Sequence, residues 1–191
     1  MNIIGNGGLA KQIKDVIDSF NSFSITYSGR IRGWFTSEYE DPDAPYVIGY
    51  SQLPNRETEF MNLVNQDKCV GTIIAPSAHV SPDVAGIGPG TVVLHEAFIG
   101  PGAKTEENVL IATRAIVEHD SIVEAHSVIL TGAIINGGCI IGQRCTIGAG
   151  AILLPNVIIA NDVTIGAGCV VTKNIEESGT YVGCPAKKVK S

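Results

Sequence analysis

The chain has 191 residues and a formal net charge of −6, with a pI near 5.1. An acidic balance does not favour nucleic acid or an anionic membrane as partner, and no apolar run approaches the roughly eighteen residues of a membrane-spanning helix. The opening Met1-Asn-Ile-Ile-Gly-Asn-Gly-Gly lacks a basic start and a long apolar stretch, and the five cysteines are odd in number with no CxxC pair. We therefore expect no secretory signal, no disulfide framework and no zinc site, but reduced structural thiols in a cytoplasmic protein.

The first element is a short apolar strand, Asn2 to Ile4, running into Gly5-Asn6-Gly7-Gly8. Leu9, Ile13, Val16, Ile17 and Phe20 then recur at helical spacing. In a strand–glycine turn–helix unit, backbone N–H groups approach an anion at the positive end of the helix. Gly5-x-Gly7-x-x-Ala10 also fits the dinucleotide fingerprint. That fingerprint asks for an acid about twenty residues on, at the end of the next strand. The next strand candidate, near Ser24 to Ser28, ends without one. Three readings stay open: a structural turn, an NAD site, and a site for a single diphosphate such as a nucleotide sugar. The last carries most weight, because the unit is half the size of a dinucleotide domain. Two more strand candidates follow, Tyr46 to Gly49 and Thr72 to Ile74, with an amphipathic helix around Arg56 to Val64 between them. Residues 1–75 thus read as a small Rossmann-like βαβαβ domain.

From Ile87 the pattern changes to a period of six. Ile87, Val93, Ile99, Thr105, Ile111 and Val117 begin a column that continues to Val171 and is aliphatic except at Thr105. Four residues after each comes a second column of small or β-branched side chains, including Cys139, Cys145 and Cys169. An unbroken hexad is the signature of a β-helix. The aliphatic residue points inward, the small one is expected to let the chain turn, and three hexads close a triangular coil. At the roughly 4.8 Å spacing of hydrogen-bonded strands, about five coils form a prism about 24 Å long. Residues 76–191 read as this β-helix with a C-terminal tail.

The phrases Ile141-Gly-Gln-Arg-Cys-Thr, Ile147-Gly-Ala-Gly-Ala-Ile and Ile165-Gly-Ala-Gly-Cys-Val resemble the hexapeptide-repeat acyltransferases. The resemblance implies a left-handed parallel β-helix, against the usual right-handed crossover, a homotrimer, and acetyl-CoA or another acyl thioester as donor. The joined architecture, with Ile73-Ile74-Ala-Pro-Ser-Ala-His79 and the closing Tyr181-Val-Gly-Cys-Pro-Ala-Lys187, is similar to one branch of that family. These are the sugar O- and N-acyltransferases of sialic acid and of bacillosamine- or perosamine-type sugars, whose N-terminal domain binds the nucleotide sugar.

Acyl transfer to an amine or hydroxyl needs a base, and imidazole titrates in the right range. The branch's base lies in a Val-x-His-Asp/Glu phrase, which here is Val117-Glu118-His119-Asp120. The resemblance makes His119 the base and Asp120 its orienter. The hexad register independently puts His119 at a corner shared with Gly137, Pro155 and Lys173, while Thr113, Thr131, Ala149 and Ala167 share another. Small residues at a corner leave a groove for an extended CoA arm, and the resemblance assigns CoA contacts to Gly137, Ala149 and Ala167. It assigns the acceptor to Asn6, Gly7 and Gly8 for the diphosphate, to Thr36 and Ser37 where relatives carry acids, and to Gly49. The family's second histidine aligns with Val128, not His126, and Ala112 stands where relatives often have Asn. His79 and His95 read as ordinary surface residues.

The expectation is an N-acetyltransferase for a UDP- or dTDP-linked amino sugar in surface-glycan biosynthesis, with acetyl-CoA as co-substrate and no metal. The alternatives are O-acetylation of a sialic-acid-type sugar and a non-catalytic β-helix scaffold. A scaffold shaped like a γ-carbonic anhydrase needs several metal histidines at coil corners, and this chain has four histidines in all.

Overall fold

The structure is a computed structural model that describes residues 1–5, 7–22 and 44–189. The N-terminal part holds β1 (Asn2–Ile4), α1 (Gly8–Ser22), β2 (Tyr46–Ile48) and α2 (Asn55–Asn65). β1 and β2 pair in parallel, with Ile3 opposite Val47. The expected strand near Ser24 to Ser28 lies outside the described residues. The strand expected near Thr72 to Ile74 forms as Ile73–Ile74 but joins the solenoid, with Ile73 opposite Val92 and Ile74 opposite Val93. Among the described residues the N-terminal sheet therefore has two strands.

The rest of the chain is a parallel β-solenoid with three faces. The first face carries Ile73–Ile74, Val92–Val93, Leu110–Ile111, Val128–Ile129, Thr146–Ile147 and Val163–Ile165, then the tail strands Gly179–Val182 and Lys187–Lys188. The second runs from His79–Val80 to Val170–Val171 in six strands, and the third from Gly86–Ile87 to Ile158–Ile159 in five. Partners lie eighteen residues apart, as in Ile116 opposite Ile134. The solenoid starts one coil before Ile87, so it has about six turns rather than five. The first coil escapes a strict count in sixes because it holds one extra residue: Ile73 pairs with Val92 and His79 with Phe98.

The inward column is dry. Val93, Ile99, Ile111, Val117, Val123 and Ile129 are fully buried, as are their successors down to Ile165. Each buried aliphatic contributes roughly 1.5–3 kcal/mol, which no single hexad collects without its neighbours. The small column is corrected in detail. Ala97, Ala103, Ala115 and Ala133 are buried inside the corners and do not make the turn. The turn is made one residue earlier, three after each inward aliphatic, by a residue with positive φ. These are Glu96, Asn108, Arg114, Asp120, His126, Arg144, Asn156 and Asp162, with glycines such as Gly132 and Gly150 at the remaining corners.

Polar members of the small column link neighbouring coils. Ser121 Oγ donates to Asn136 O at 2.9 Å and Ser127 Oγ to Gly142 O at 2.7 Å. The Cys139 and Cys145 thiols make the same step to Leu154 O and Ala160 O. Burial raises the Cys139 and Cys169 thiols and pushes Cys145 up to about 11. These cysteines are packing groups and not thiolate nucleophiles at neutral pH.

α1 lays Leu9, Ile13, Val16 and Ile17 on the outer side of the first face, against Val92, Leu94, Leu110, Ala112 and Val128. This apolar cluster joins α1 to the solenoid.

Candidate functional site

His119 and Asp120 leave the prism at the corner between the second and third faces. The turn at Asp120, with φ 57, swings its carboxylate back onto the preceding ring. His119 Nδ1 lies 2.8 Å from Asp120 Oδ2. With the Nδ1–H donated to the carboxylate, the lone pair is left on Nε2. The side chains are 60% and 73% exposed, so the pair is open to a substrate. The ring fills the space above Gly137, where an added Cβ would stand 2.4 Å from His119 Nε2. Among the described residues no carbonyl accepts the Gly137 N–H. A basic nitrogen and a free N–H donor therefore lie side by side, as acyl transfer requires.

Ala149 and Ala167 are exposed at a different corner, between the first and second faces, and stack through Gly168 N to Ala149 O at 2.8 Å. Within one chain they are not brought to His119. Gly7 and Gly8 stand at the N-terminus of α1, and among the described residues nothing lies within 4 Å of an added Cβ at either, which leaves room for an anion. The positive φ of the turn falls on Gly5, at 114°. Gly49 is needed by packing, since its Cβ would lie 2.8 Å from Ala10 Cβ and 2.9 Å from Ile4 O. Asn6, Thr36 and Ser37 lie outside the described residues.

His126 sits at the third corner, between the third and first faces, under α2. It is 7% exposed, bonds Asn108 Nδ2 through Nδ1 at 2.9 Å, and takes the edge of Phe60 at 5.5 Å. Burial holds its pKa below the ordinary imidazole value, partly opposed by Glu57 and Glu107. It is remote from the His119 corner, and Val128 beneath α1 is equally removed from solvent. His95 is only partly exposed and receives Ser77 Oγ at Nδ1, 2.8 Å.

Two features escaped the sequence reading. One is the buried Arg56, at the start of α2. The other is a groove of about 640 Å³ between the loop after β2, residues 51–54, and the first face at Leu130, Thr146 and Thr164, with Glu57, Arg144 and Asp162 at its side. Neither has a periodic signal; the loop is brought there by the docking of α1 and α2. Among the described residues no group of His, Cys, Asp and Glu is placed to hold a metal ion, and no helix is long and apolar enough to cross a membrane.

Comparison with known proteins agrees with this fold. The model for the bacterial transferase hexapeptide, six repeats, matches residues 138–173. No curated protein matches the sequence. Among solved structures, the chain is similar to the acetyltransferase domain of PglB from Neisseria gonorrhoeae, with 26% identity, 98% of each chain covered and a TM-score of 0.86. That domain has also been solved with acetyl coenzyme A. A perosamine N-acetyltransferase variant from Caulobacter crescentus, solved with CoA and GDP-perosamine, shares the fold at 23% identity, with 99% of this chain and 96% of that chain covered and a TM-score of 0.82. WeeI from Acinetobacter baumannii does so at 19% identity, with 98% of each chain covered and a TM-score of 0.75. The fold is like that of an acetyltransferase domain, and residues 138–173 carry the transferase hexapeptide repeat. In particular, the chain resembles the sugar acetyltransferases along nearly its whole length.

Proposed function

We propose that the protein is an acetyl-CoA-dependent N-acetyltransferase acting on the amino group of a nucleotide-linked dideoxy sugar, in the cytoplasmic stage of surface-glycan biosynthesis. The observation that carries this reading is the His119–Asp120 pair with Nε2 set over the bare Gly137 backbone. The sugar nitrogen attacks the thioester carbonyl while His119 Nε2 takes its proton. The Gly137 N–H stabilises the oxyanion. The C–S bond then breaks, the imidazolium returns its proton to the leaving thiolate, and amide and CoA are released. Asp120 keeps Nδ1–H fixed and stabilises the imidazolium.

The acceptor's diphosphate rests on the N–H groups at Gly7 and Gly8, aided by the positive end of α1. Asn6, Thr36, Ser37 and Gly49 complete that site in this reading. The N-terminal unit, expected to run over residues 1–75, is then a reduced Rossmann-like domain that ends before Ile73, and the chain from Ile73 on is a left-handed β-helix. Because Gly137 and Ala149 with Ala167 occupy different corners, a CoA arm touching all three lies between two copies. That favours a homotrimer with the donor at the subunit boundaries.

The test is incubation with acetyl-CoA and a panel of amino-dideoxyhexoses linked to UDP, dTDP or GDP. We expect stoichiometric thiol release and a product bearing one acetyl group that resists hydroxylamine, as an amide does. A hydroxylamine-labile product identifies O-acetylation instead, and no thiol release with any amino or hydroxyl sugar overturns the enzymatic reading.

A further inference from the structure

Among the described residues Arg56 is the only lysine or arginine that is fully buried. Burial lowers its pKa to about 9, so it remains a cation at neutral pH. None of its hydrogen bonds goes to a carboxylate. All five guanidinium N–H groups go to backbone carbonyls: Nε to Asn108 at 3.1 Å, Nη1 to Ile48 at 2.9 Å and Tyr50 at 3.2 Å, Nη2 to Gly90 at 3.1 Å and Val109 at 3.3 Å. Asn108 Nδ2 returns a bond to Arg56 O at 3.3 Å. Two of the five carbonyls belong to the N-terminal unit and three to the solenoid.

Adhesion does not explain this arrangement, since the apolar contact of α1 with the first face already joins the two parts. A rigid planar fork that engages every donor fixes direction as well as distance, which an apolar contact does not. The direction matters at one place. Ile48 and Tyr50 flank Gly49, and the turn at Gly5 leans on that segment: an added Gly5 Cβ would lie 3.2 Å from Gly49 O and 3.5 Å from Tyr50 Cε1. The solenoid carbonyls that hold Arg56 therefore also hold the ledge under the glycine turn.

We infer that Arg56 is a positioning residue for the transfer, holding the glycine turn at one fixed reach from the solenoid so that an acceptor anchored there is presented to the thioester. This rests on the acceptor-anchoring role proposed above for the turn. Misplacing a reactant by about 1 Å costs on the order of 10²-fold in rate, while binding to the turn alone is untouched by its distance from the solenoid.

The experiment uses the full-length protein as Arg56→Lys, which keeps the charge and three donors, and as Arg56→Met, which keeps the volume and none. Three quantities are measured at a temperature where each variant is folded by circular dichroism. They are kcat with the amino-dideoxyhexose nucleotide that the wild type turns over, the Kd of the corresponding free UDP, dTDP or GDP by calorimetry, and the KM for acetyl-CoA. We expect kcat to fall about 10–100-fold in Arg56→Lys and further in Arg56→Met, with the Kd and the KM within about two-fold of wild type. If Arg56→Met does not fold, the Arg56→Lys split alone decides. Wild-type kcat in folded Arg56→Lys, or a loss shared equally by diphosphate and acetyl-CoA binding, overturns the inference. Failure of the underlying reading is visible separately, because the wild type then binds none of the three nucleoside diphosphates.

Discussion

Thr105 stands alone on the prism axis. Its partners along the third face are Ile87 above and Val123 below, and its Oγ1 is buried without a hydrogen-bond partner among the described residues. An unpaired buried hydroxyl costs roughly 1–3 kcal/mol, and valine has nearly the same shape. Thr105→Val is expected to stabilise the protein by about 1–2 kcal/mol, read as a higher urea midpoint at unchanged slope. A lower midpoint would show that the hydroxyl has a partner after all. The same column illustrates what could be read in advance. The inward aliphatics announce themselves by a strict period, because every hexad needs one at the axis. The turn-forming column was equally periodic but chemically mixed, with Glu96, Asp120, His126 and Arg144 alongside glycines. The shared property is backbone conformation, so side-chain type alone did not reveal it. His119 was legible as a corner residue for the opposite reason, since it is the one ring with a titratable nitrogen at a corner shared with Gly137, Pro155 and Lys173.

At the scale of elements, α1 illustrates how the N-terminal unit works. Its apolar stripe was readable from Leu9 to Ile17 and packs as that spacing requires. What the stripe packs against was not readable, because the outer residues of the first face, such as Val92 and Leu110, look like ordinary strand neighbours in sequence. The same ambiguity put Ile73–Ile74 in the wrong sheet: a two-residue aliphatic strand carries no mark of its partner. The helix start gives a clean test, because Gly8 opens α1, is not among the positive-φ glycines, and has open space around an added Cβ among the described residues. Gly8→Val should leave the melting temperature near wild type and place a branched side chain at the diphosphate site proposed above. Losing an anion at a helix N-terminus costs about 1–2 kcal/mol, so the acceptor KM should rise about ten-fold while the KM for acetyl-CoA stays put. Unchanged acceptor KM in that variant would move the acceptor away from the turn and favour a free sugar.

At the scale of the whole molecule, one corner of the prism carries the exposed His119–Asp120 pair, one is small and exposed, and one is sealed under α2. Arg56, Asn108 and His126 form that seal through contacts fifty-two residues apart in the case of Arg56 with Asn108, far beyond what local pattern can show. The seal and the α1 contact leave the N-terminal unit in one orientation. The His119 corner is left open, with Nε2 over Gly137 and the Asp120 carboxylate alongside Nδ1. The central claim is that this nitrogen takes the acceptor's proton. The most direct measurement is CoA thiol release from acetyl-CoA by wild type, His119→Ala and Asp120→Asn, with the amino-sugar nucleotide saturating. The account predicts a fall in kcat of roughly 10²–10⁴-fold for His119→Ala, a smaller fall for Asp120→Asn, and unaltered acetyl-CoA KM in both. Wild-type turnover by a folded His119→Ala protein would contradict it.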